Sequence, residues 1–449
     1  MNHLSLLVPA FAWVLALSAQ ETAAPSPKPA APGKQQPAPP PPKLVLEAAT
    51  DRASAIYAPG EEVTFTIQGM LGGAPAAGLS VTCVLSKDGI EPRPPREVRL
   101  EGGKATLTAT LDEPGFLQLR VRGGGVTALA AAAFDPEKLR PSMPVPDDFD
   151  TFWQEQKMAL AAVPAKAELT PRPVQNPGVE LFDVQVDCAG GAPVSGYLAR
   201  PTDAAPKSLP AILTVHGAGV RSASTGVLSW AVREGGMLAL DINAHGIPNG
   251  QPDAFYDALA AGGLKDYRAR GRENRDQVYF KGMFLRVIRA LDFLTARPEW
   301  DGRTLIVYGS SQGGFQAFAA AGLDARVTFI CAGVPAGCDH TGMKAGRVCG
   351  WPKLAALDEN GTPMPASLEA ARYFDCVNFA ARARCRGAAV TVGFIDTTCP
   401  PSSVYAAWNA LTVPKTLHAD PLAGHTNTPA ATAFMQAAAL AHVRAMRAR

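Results

Sequence analysis

Thr304-Leu305-Ile306-Val307-Tyr308-Gly309-Ser310-Ser311-Gln312-Gly313-Gly314 joins a short apolar, β-leaning run to a Gly-x-Ser-x-Gly pentapeptide, and small residues dominate 315–323 just beyond it. The spacing predicts a strand that turns sharply into a helix and holds Ser311 at the tip in a strained backbone conformation. Gly309 and Gly313 are required there because a side chain at either would strike the neighbouring strand or helix. Ser311 then projects above a sheet as a candidate nucleophile. The backbone N–H of Gln312, in the first helical turn, points at whatever Ser311 attacks.

Outward from this turn, apolar runs at 211–215, 237–240, 305–308, 329–332, 390–395 and 417–419 alternate with helical patterns such as 284–295 and 404–411. Runs at 182–186 and 194–198 read as a β-hairpin ahead of them. Continuous apolar strands alternating with helices predict an α/β fold with a doubly wound, mostly parallel sheet. Working groups in such sheets sit at the carboxyl ends of strands. After 211–215 comes His216-Gly217-Ala218-Gly219, where a sheet of this kind places a second oxyanion donor, the N–H of Ala218. His216 itself reads as a brace for that loop rather than as a base. After 390–395 comes Asp396, and after the last strand Gly424-His425 precedes a final helix. Ser311, Asp396 and His425 therefore stand in the chain order of a nucleophile, an orienting acid and a base. Asp420 competes as the acid. His418, inside a strand pattern, and His442, in the last helix, read as structural, and His340 follows a strand as a candidate for the pocket wall.

The 449 residues with 47% hydrophobic content exceed one typical domain, and a net charge of +2 provides no basic surplus for nucleic acid and no acidic one. Residues 1–19 read as a secretory signal peptide, with an uncleaved membrane anchor as the alternative. Residues 20–43 are Ala/Pro-rich and predict an extended tether. From 44 to 135 the apolar period becomes two, as in Val63-x-Phe65-x-Ile67 and Leu117-x-Leu119-x-Val121, with turns at Pro59-Gly60, Asp88-Gly89 and Gly102-Gly103. That pattern predicts a small all-β sandwich of immunoglobulin-like size, serving as a spacer or a carbohydrate-binding module. Residues 142–449 form the expected catalytic domain. Most of the eight cysteines read as free buried thiols, and no His/Cys set has zinc spacing, so neither metal nor cofactor is expected.

From about Pro144 onward the sequence resembles the acetyl xylan esterase / cephalosporin-C deacetylase family of α/β-hydrolases. The resemblance runs through Asp148-Phe149-Asp150-x-Phe152-Trp153, Gly309-Ser310-Ser311-Gln312-Gly313-Gly314 and Val334-Pro335-x-x-Cys338-Asp339. It is densest in Tyr373-Phe374-Asp375-x-Val377-Asn378-Phe379-Ala380 and in Asp396-x-x-Cys399-Pro400-Pro401-Ser402-Ser403. It implies Ser311, Asp396 and His425 as the triad and backbone donors at Ala218 and Gln312; His216, Pro335 and His340 are the candidates for the substrate pocket. Three places depart from the family pattern. Its Arg-Gly-Gln is lost near Asn243-Ala244-His245-Gly246, Thr426 follows the last histidine in place of Glu, and Ala218 replaces an aromatic residue.

The expected activity is hydrolysis of acetyl or short acyl esters on carbohydrate such as xylan, by an exported enzyme. No nucleic-acid partner is expected, no membrane contact after signal cleavage, and a homo-oligomer is compatible with the family. The rival readings are another α/β-hydrolase activity, on peptides or lactones, and a carbohydrate-binding protein with an inactive hydrolase domain.

Overall fold

The computed structural model describes residues 42–90 and 92–448. The expected signal peptide and almost all of the expected tether lie outside the described residues. From Lys43 onward the chain makes one compact unit.

Its first part is two facing sheets. One has β3 (Glu62–Leu71) at its centre, paired with β1 (Leu44–Thr50), β4 (Ala74–Pro75) and β7 (Lys104–Thr110). The other runs β2 (Ile56–Tyr57), β9 (Val126–Phe134), β8 (Gly115–Gly123), β5 (Ser80–Lys87) and β6 (Arg96–Arg99). The period of two does what it should: Val63, Phe65 and Ile67 of β3 meet Val81, Cys83, Leu85, Leu117, Leu119 and Val121 in one core.

The second part is a nine-stranded sheet in the order β10-β11-β12-β14-β13-β15-β16-β17-β18. Its strands are β10 (Ala167–Arg172), β11 (Val179–Val186), β12 (Val194–Pro201), β13 (Leu209–Val215), β14 (Leu238–Ile242), β15 (Trp300–Ser310), β16 (Phe329–Gly333), β17 (Ala388–Gly393) and β18 (Lys415–Asp420). The pairs from β14 through β18 are parallel, while β10, β11 and β12 add an antiparallel edge. Strand β10 escapes the sequence pattern because Ala167-Glu168-Leu169-Thr170-Pro171-Arg172 is exposed along most of its length and carries little apolar signal. The expected run at 390–395 ends earlier, at Gly393, because the N–H groups of Phe394 and Ile395 turn away to the carbonyls of Asp420 and Ala423.

The helices are α1 (Phe149–Ala161), α2 (Val227–Ala231), α3 (Asp253–Ala261), α4 (Tyr279–Thr295), α5 (Gln312–Leu323), α6 (Pro365–Arg372), α7 (Cys376–Ala380), α8 (Pro401–Ala410) and α9 (Pro429–Arg447). One face of the sheet buries α1, α4, α5, α7 and α8, and the other buries α2 and α9. Two segments that carry the family resemblance meet on the first face. Phe149, Phe152 and Trp153 of α1 pack with Tyr373, Phe374 and Phe379 at ring separations of 5.0–6.3 Å, and the Trp153 indole N–H donates to the Tyr373 carbonyl. Edge-to-face rings at these distances add to what their burial alone contributes.

The sandwich is docked, not tethered. Strand β8 buries one face along most of its length and the other only at its start: Leu117 and Leu119 point into the sandwich, while Phe116 sits 5.1 Å from the Phe394 ring and 5.7 Å from Tyr405 of α8. Ala131 and Ala133 of β9 join the same larger core. Beside them Asp88 is 1% exposed. Its Oδ1 accepts the Phe116 N–H at 2.8 Å, and its carbonyl accepts the Val348 N–H at 3.1 Å. Burial pushes this carboxyl up to about 6, against the opposing pulls of the Phe116 N–H, Lys87, Arg347 and Ser402. The folded state therefore holds the proton more tightly than the unfolded chain does. Its contribution to stability is greatest below 3.8 and declines as pH rises to about 6. Asp88→Asn keeps the acceptor and removes the buried charge. It is expected to raise unfolding free energy above pH 6 by up to about 3 kcal/mol and to flatten this part of the pH dependence, as measured by urea unfolding at pH 4.5 and 7.5. A loss of stability at both pH values refutes the assignment.

Candidate active site

Ser311 stands between β15 and α5 with φ 58° and ψ −120°, a conformation that L-residues occupy only when their surroundings force it. The surroundings do so. The Ser311 N–H donates to the Gly333 carbonyl (2.8 Å), and its own carbonyl accepts from Ala336 (3.0 Å) and Phe315 (3.1 Å). A Cβ on Gly309 would lie 2.6 Å from the Gly313 backbone, and one on Gly313 only 2.2 Å from the Val215 carbonyl oxygen. Helix α5 begins at Gln312, three residues earlier than the apolar pattern at 315–323 marks, because Gln312-Gly313-Gly314 carries no periodic signal of its own.

The imidazole of His425 lies between the other two candidates. Its Nε2 is 2.8 Å from Ser311 Oγ and its Nδ1 is 2.7 Å from Asp396 Oδ2. A carboxylate only accepts, so the proton belongs on Nδ1, and Nε2 is left to accept from the serine hydroxyl. Asp396 is 1% exposed, and its Oδ1 takes the N–H groups of Thr398 and Cys399, each at 2.8 Å. Cys399 precedes Pro400 and helix α8, so the carboxylate is fixed by backbone rather than by a mobile side chain. Asp420, the competing acid, instead accepts the N–H of Leu422 within its own turn.

The loop carrying Ala218 lies against the elbow: a Cβ on Gly217 would stand 3.5 Å from Ser311 Cβ. Two histidines clamp it. His216 Nε2 accepts the Ala244 N–H (3.0 Å), which puts its proton on Nδ1, 2.6 Å from the Gly217 carbonyl. His245 Nε2 donates to the Gly219 carbonyl (3.2 Å), and its Nδ1 accepts from the Tyr279 hydroxyl (2.7 Å). Burial lowers these rings to about 4 and about 3 respectively, so both are neutral at ordinary pH and keep these tautomers. Gln312 is fully buried, and its N–H, at the first helical position, has no acceptor within the helix. Ala218 is exposed.

Pro335 and His340, expected on a pocket wall, are both buried; His340 is 1% exposed, and its ring lies edge-on to Phe315 at 5.6 Å. They shape the backing of the elbow from beneath. His418 packs on Phe434, and His442 stacks on Phe329 and bonds Thr328, as structural residues do. Three contributors escaped the sequence reading. Tyr267 donates its hydroxyl to Gln312 Oε1 (2.6 Å), and His245 holds the Ala218 loop. Asn427 donates to Ser310 Oγ (2.6 Å) and accepts from Thr391 (2.6 Å), tying the His425 loop to the elbow. Only Asn427 had a local clue, its position two residues beyond His425. Asp396, Cys399 and His425 each present one donor atom within 4.8 Å of the others. However, the carboxylate and ring are joined by their hydrogen bond, and burial holds the Cys399 thiol protonated, so the trio does not suit a metal ion. All eight cysteines are free and buried.

An elbow serine at the carboxyl edge of a mostly parallel, doubly wound sheet defines an α/β-hydrolase. The same fold is seen in acetyl xylan esterase 1 from Thermoanaerobacterium sp. JW/SL YS485, with a TM-score of 0.57 and 23% identity over 67% of this chain and 96% of that one. A family model described as acetyl xylan esterase (AXE1) matches residues 128–443. Acetyl esterase Axe7A of Xylanibacter ruminicola is 30% identical over 389 residues, covering 84% of this chain and 86% of its own. The acetyl xylan esterase from Paenibacillus sp. R4 is 29% identical, covering 67% of this chain and 98% of that one, with a TM-score of 0.56. The chain belongs to the acetyl xylan esterase family and is a carboxylic-ester hydrolase of the serine esterase type.

The crossing of α5 over β13 sets a sharp stereochemical contrast. Gly313→Ala drives a methyl into the Val215 carbonyl and is expected to cost more than about 3 kcal/mol or to prevent folding. Gly217→Ala, whose nearest contact would be 3.4 Å, is expected to fold with a melting temperature close to that of the parent. Thermal unfolding of the two variants side by side checks this.

Proposed function

We propose that this protein removes acetyl groups from acetylated carbohydrate, such as xylan or its oligosaccharides, through an acyl-enzyme formed on Ser311. The observation that carries the reading is the continuous line Asp396–His425–Ser311, with bonds of 2.7 and 2.8 Å. His425 Nε2 takes the hydroxyl proton as Ser311 Oγ attacks the acyl carbonyl, and Asp396 stabilises the imidazolium that forms. The N–H groups of Ala218 and Gln312 receive the oxyanion. His425 then returns the proton to the departing sugar hydroxyl, and water repeats the sequence to release acetate.

Family membership and the names of the relatives support acetyl esters of xylan as the substrate class. The apolar run near the N-terminus supports export. Among the described residues no helix is long and apolar enough to cross a membrane. We read the two facing β-sheets as an immunoglobulin-like module built onto the hydrolase.

Ser311→Ala is expected to lower kcat by at least about 10⁴-fold, and Asp396→Asn by about 10³–10⁴-fold, with melting temperatures little changed. Acetate release from acetylated xylo-oligosaccharides and from p-nitrophenyl acetate measures both. Full turnover in Ser311→Ala overturns the reading.

A further inference from the structure

Beside the elbow, on the α2 face of the sheet, lies a cavity of about 360 Å³ bounded by Thr214, Arg221, Ser224, Trp230, Asp241 and Tyr308. None of these side chains takes part in the reaction described above. Gly217 and Ser310, the neighbour of Ser311, both line the cavity. A Cβ on Gly217 would lie 3.5 Å from Ser311 Cβ and 3.8 Å from the Arg221 guanidinium. A ligand whose ester carbonyl is at Ser311 therefore has its neighbouring unit within reach of Arg221 and the rim of this space.

The lining decides what extends there. Asp241 is 6% exposed, with Oδ2 accepting from Thr214 Oγ1 (2.6 Å) and Oδ1 from the Ser224 N–H (2.7 Å). Each oxygen retains acceptor capacity toward the cavity. Arg221 is exposed, donates to the Gly217 carbonyl (3.1 Å), and has no ion-pair partner among the described residues. The Tyr308 hydroxyl has no hydrogen-bond partner among the described residues either. An acyl chain is a poor match for a carboxylate and a guanidinium, which would lose hydration without recompense. A carboxylated ligand would meet the Asp241 charge. A neutral ring bearing several hydroxyls satisfies an acceptor carboxylate, a donor guanidinium and a phenol together, and the volume lies within the roughly 300–1,000 Å³ of small-molecule sites.

We infer that this cavity is a glycosyl subsite, which holds an uncharged sugar unit adjoining the acetylated one and so favours oligosaccharide esters over simple esters. The inference rests on the deacetylation reading above and deepens it. Arg221 and Asp241 act here as specificity-determining groups.

The test compares kcat/KM for acetylated xylotriose and for p-nitrophenyl acetate in the parent, Arg221→Met and Gly226→Phe. Gly226 borders the cavity, and a Cβ there meets only the Ser224 hydroxyl at 3.1 Å, so the ring narrows the space without disturbing the core. The ratio of sugar-ester to aryl-ester kcat/KM is expected to fall roughly tenfold in each variant, mainly through KM. Unacetylated xylotriose is expected to inhibit aryl-ester hydrolysis competitively in the parent and roughly tenfold more weakly in the variants. An unchanged ratio and unchanged inhibition in the variants, with the parent active on the sugar ester, overturn the subsite alone. A parent that cleaves the aryl ester and releases no acetate from the sugar overturns the deacetylation reading and the subsite together.

Discussion

Backbone touches backbone where the start of α5 crosses the end of β13, and the rest of the molecule depends on that contact. Gly313 lies so close to the Val215 carbonyl that no side chain fits, Gly309 is just as tightly placed against Gly313, and Gly314 abuts Pro335. This approach forces Ser311 into a positive φ, which lifts its hydroxyl off the sheet edge. The strain is held by hydrogen bonds to β16 and to the segment after it, not by the serine itself. A helix spaced one side chain further from the sheet would relax Ser311 and separate the Gln312 N–H from the Ala218 loop.

Around that contact neutral rings brace the loops. His216 and His245 are buried enough to stay unprotonated, and as neutral rings each can donate through one nitrogen and accept through the other. They hold the carbonyls of Gly217 and Gly219, flanking the residue whose N–H the proposed mechanism uses. Asp396, in contrast, is surrounded by N–H donors and by the His425 ring. Asp88, which accepts one backbone N–H and is otherwise held by burial, takes up a proton more readily than an ordinary aspartate.

The β-sandwich enters the same economy of contacts. Phe116 and the alanines of β9 reach into the hydrolase core, and the Asp88 carbonyl holds Val348. Three residues further along, the Trp351 N–H donates to the Thr398 carbonyl, next to the turn that fixes Asp396. The sandwich thus supports the wall that supports the carboxylate. The contiguous apolar run Leu129–Phe134 was the visible trace of this docking, since a strand with one wet face alternates and this one does not.

Periodicity and turn chemistry in the chain alone were sufficient for the elbow, the parallel strands at its sides, the two-sheet module ahead of it, and the order of Ser311, Asp396 and His425. These features are local: a run of apolar residues, a pair of glycines or a proline after an acid records itself within a few positions. Which of Asp396 and Asp420 meets the His425 ring depends on how the fold turns the two loops, and it is Asp396 that lies 2.7 Å from the ring. The same holds for the clamps at His245 and Tyr267, the tie through Asn427, the burial of Pro335 and His340, and the cavity behind Gly217. Each joins segments far apart in the chain through a single hydrogen bond or a void. Such pairings leave no period in the sequence, because they arise from how whole layers pack and not from the preference of any one residue.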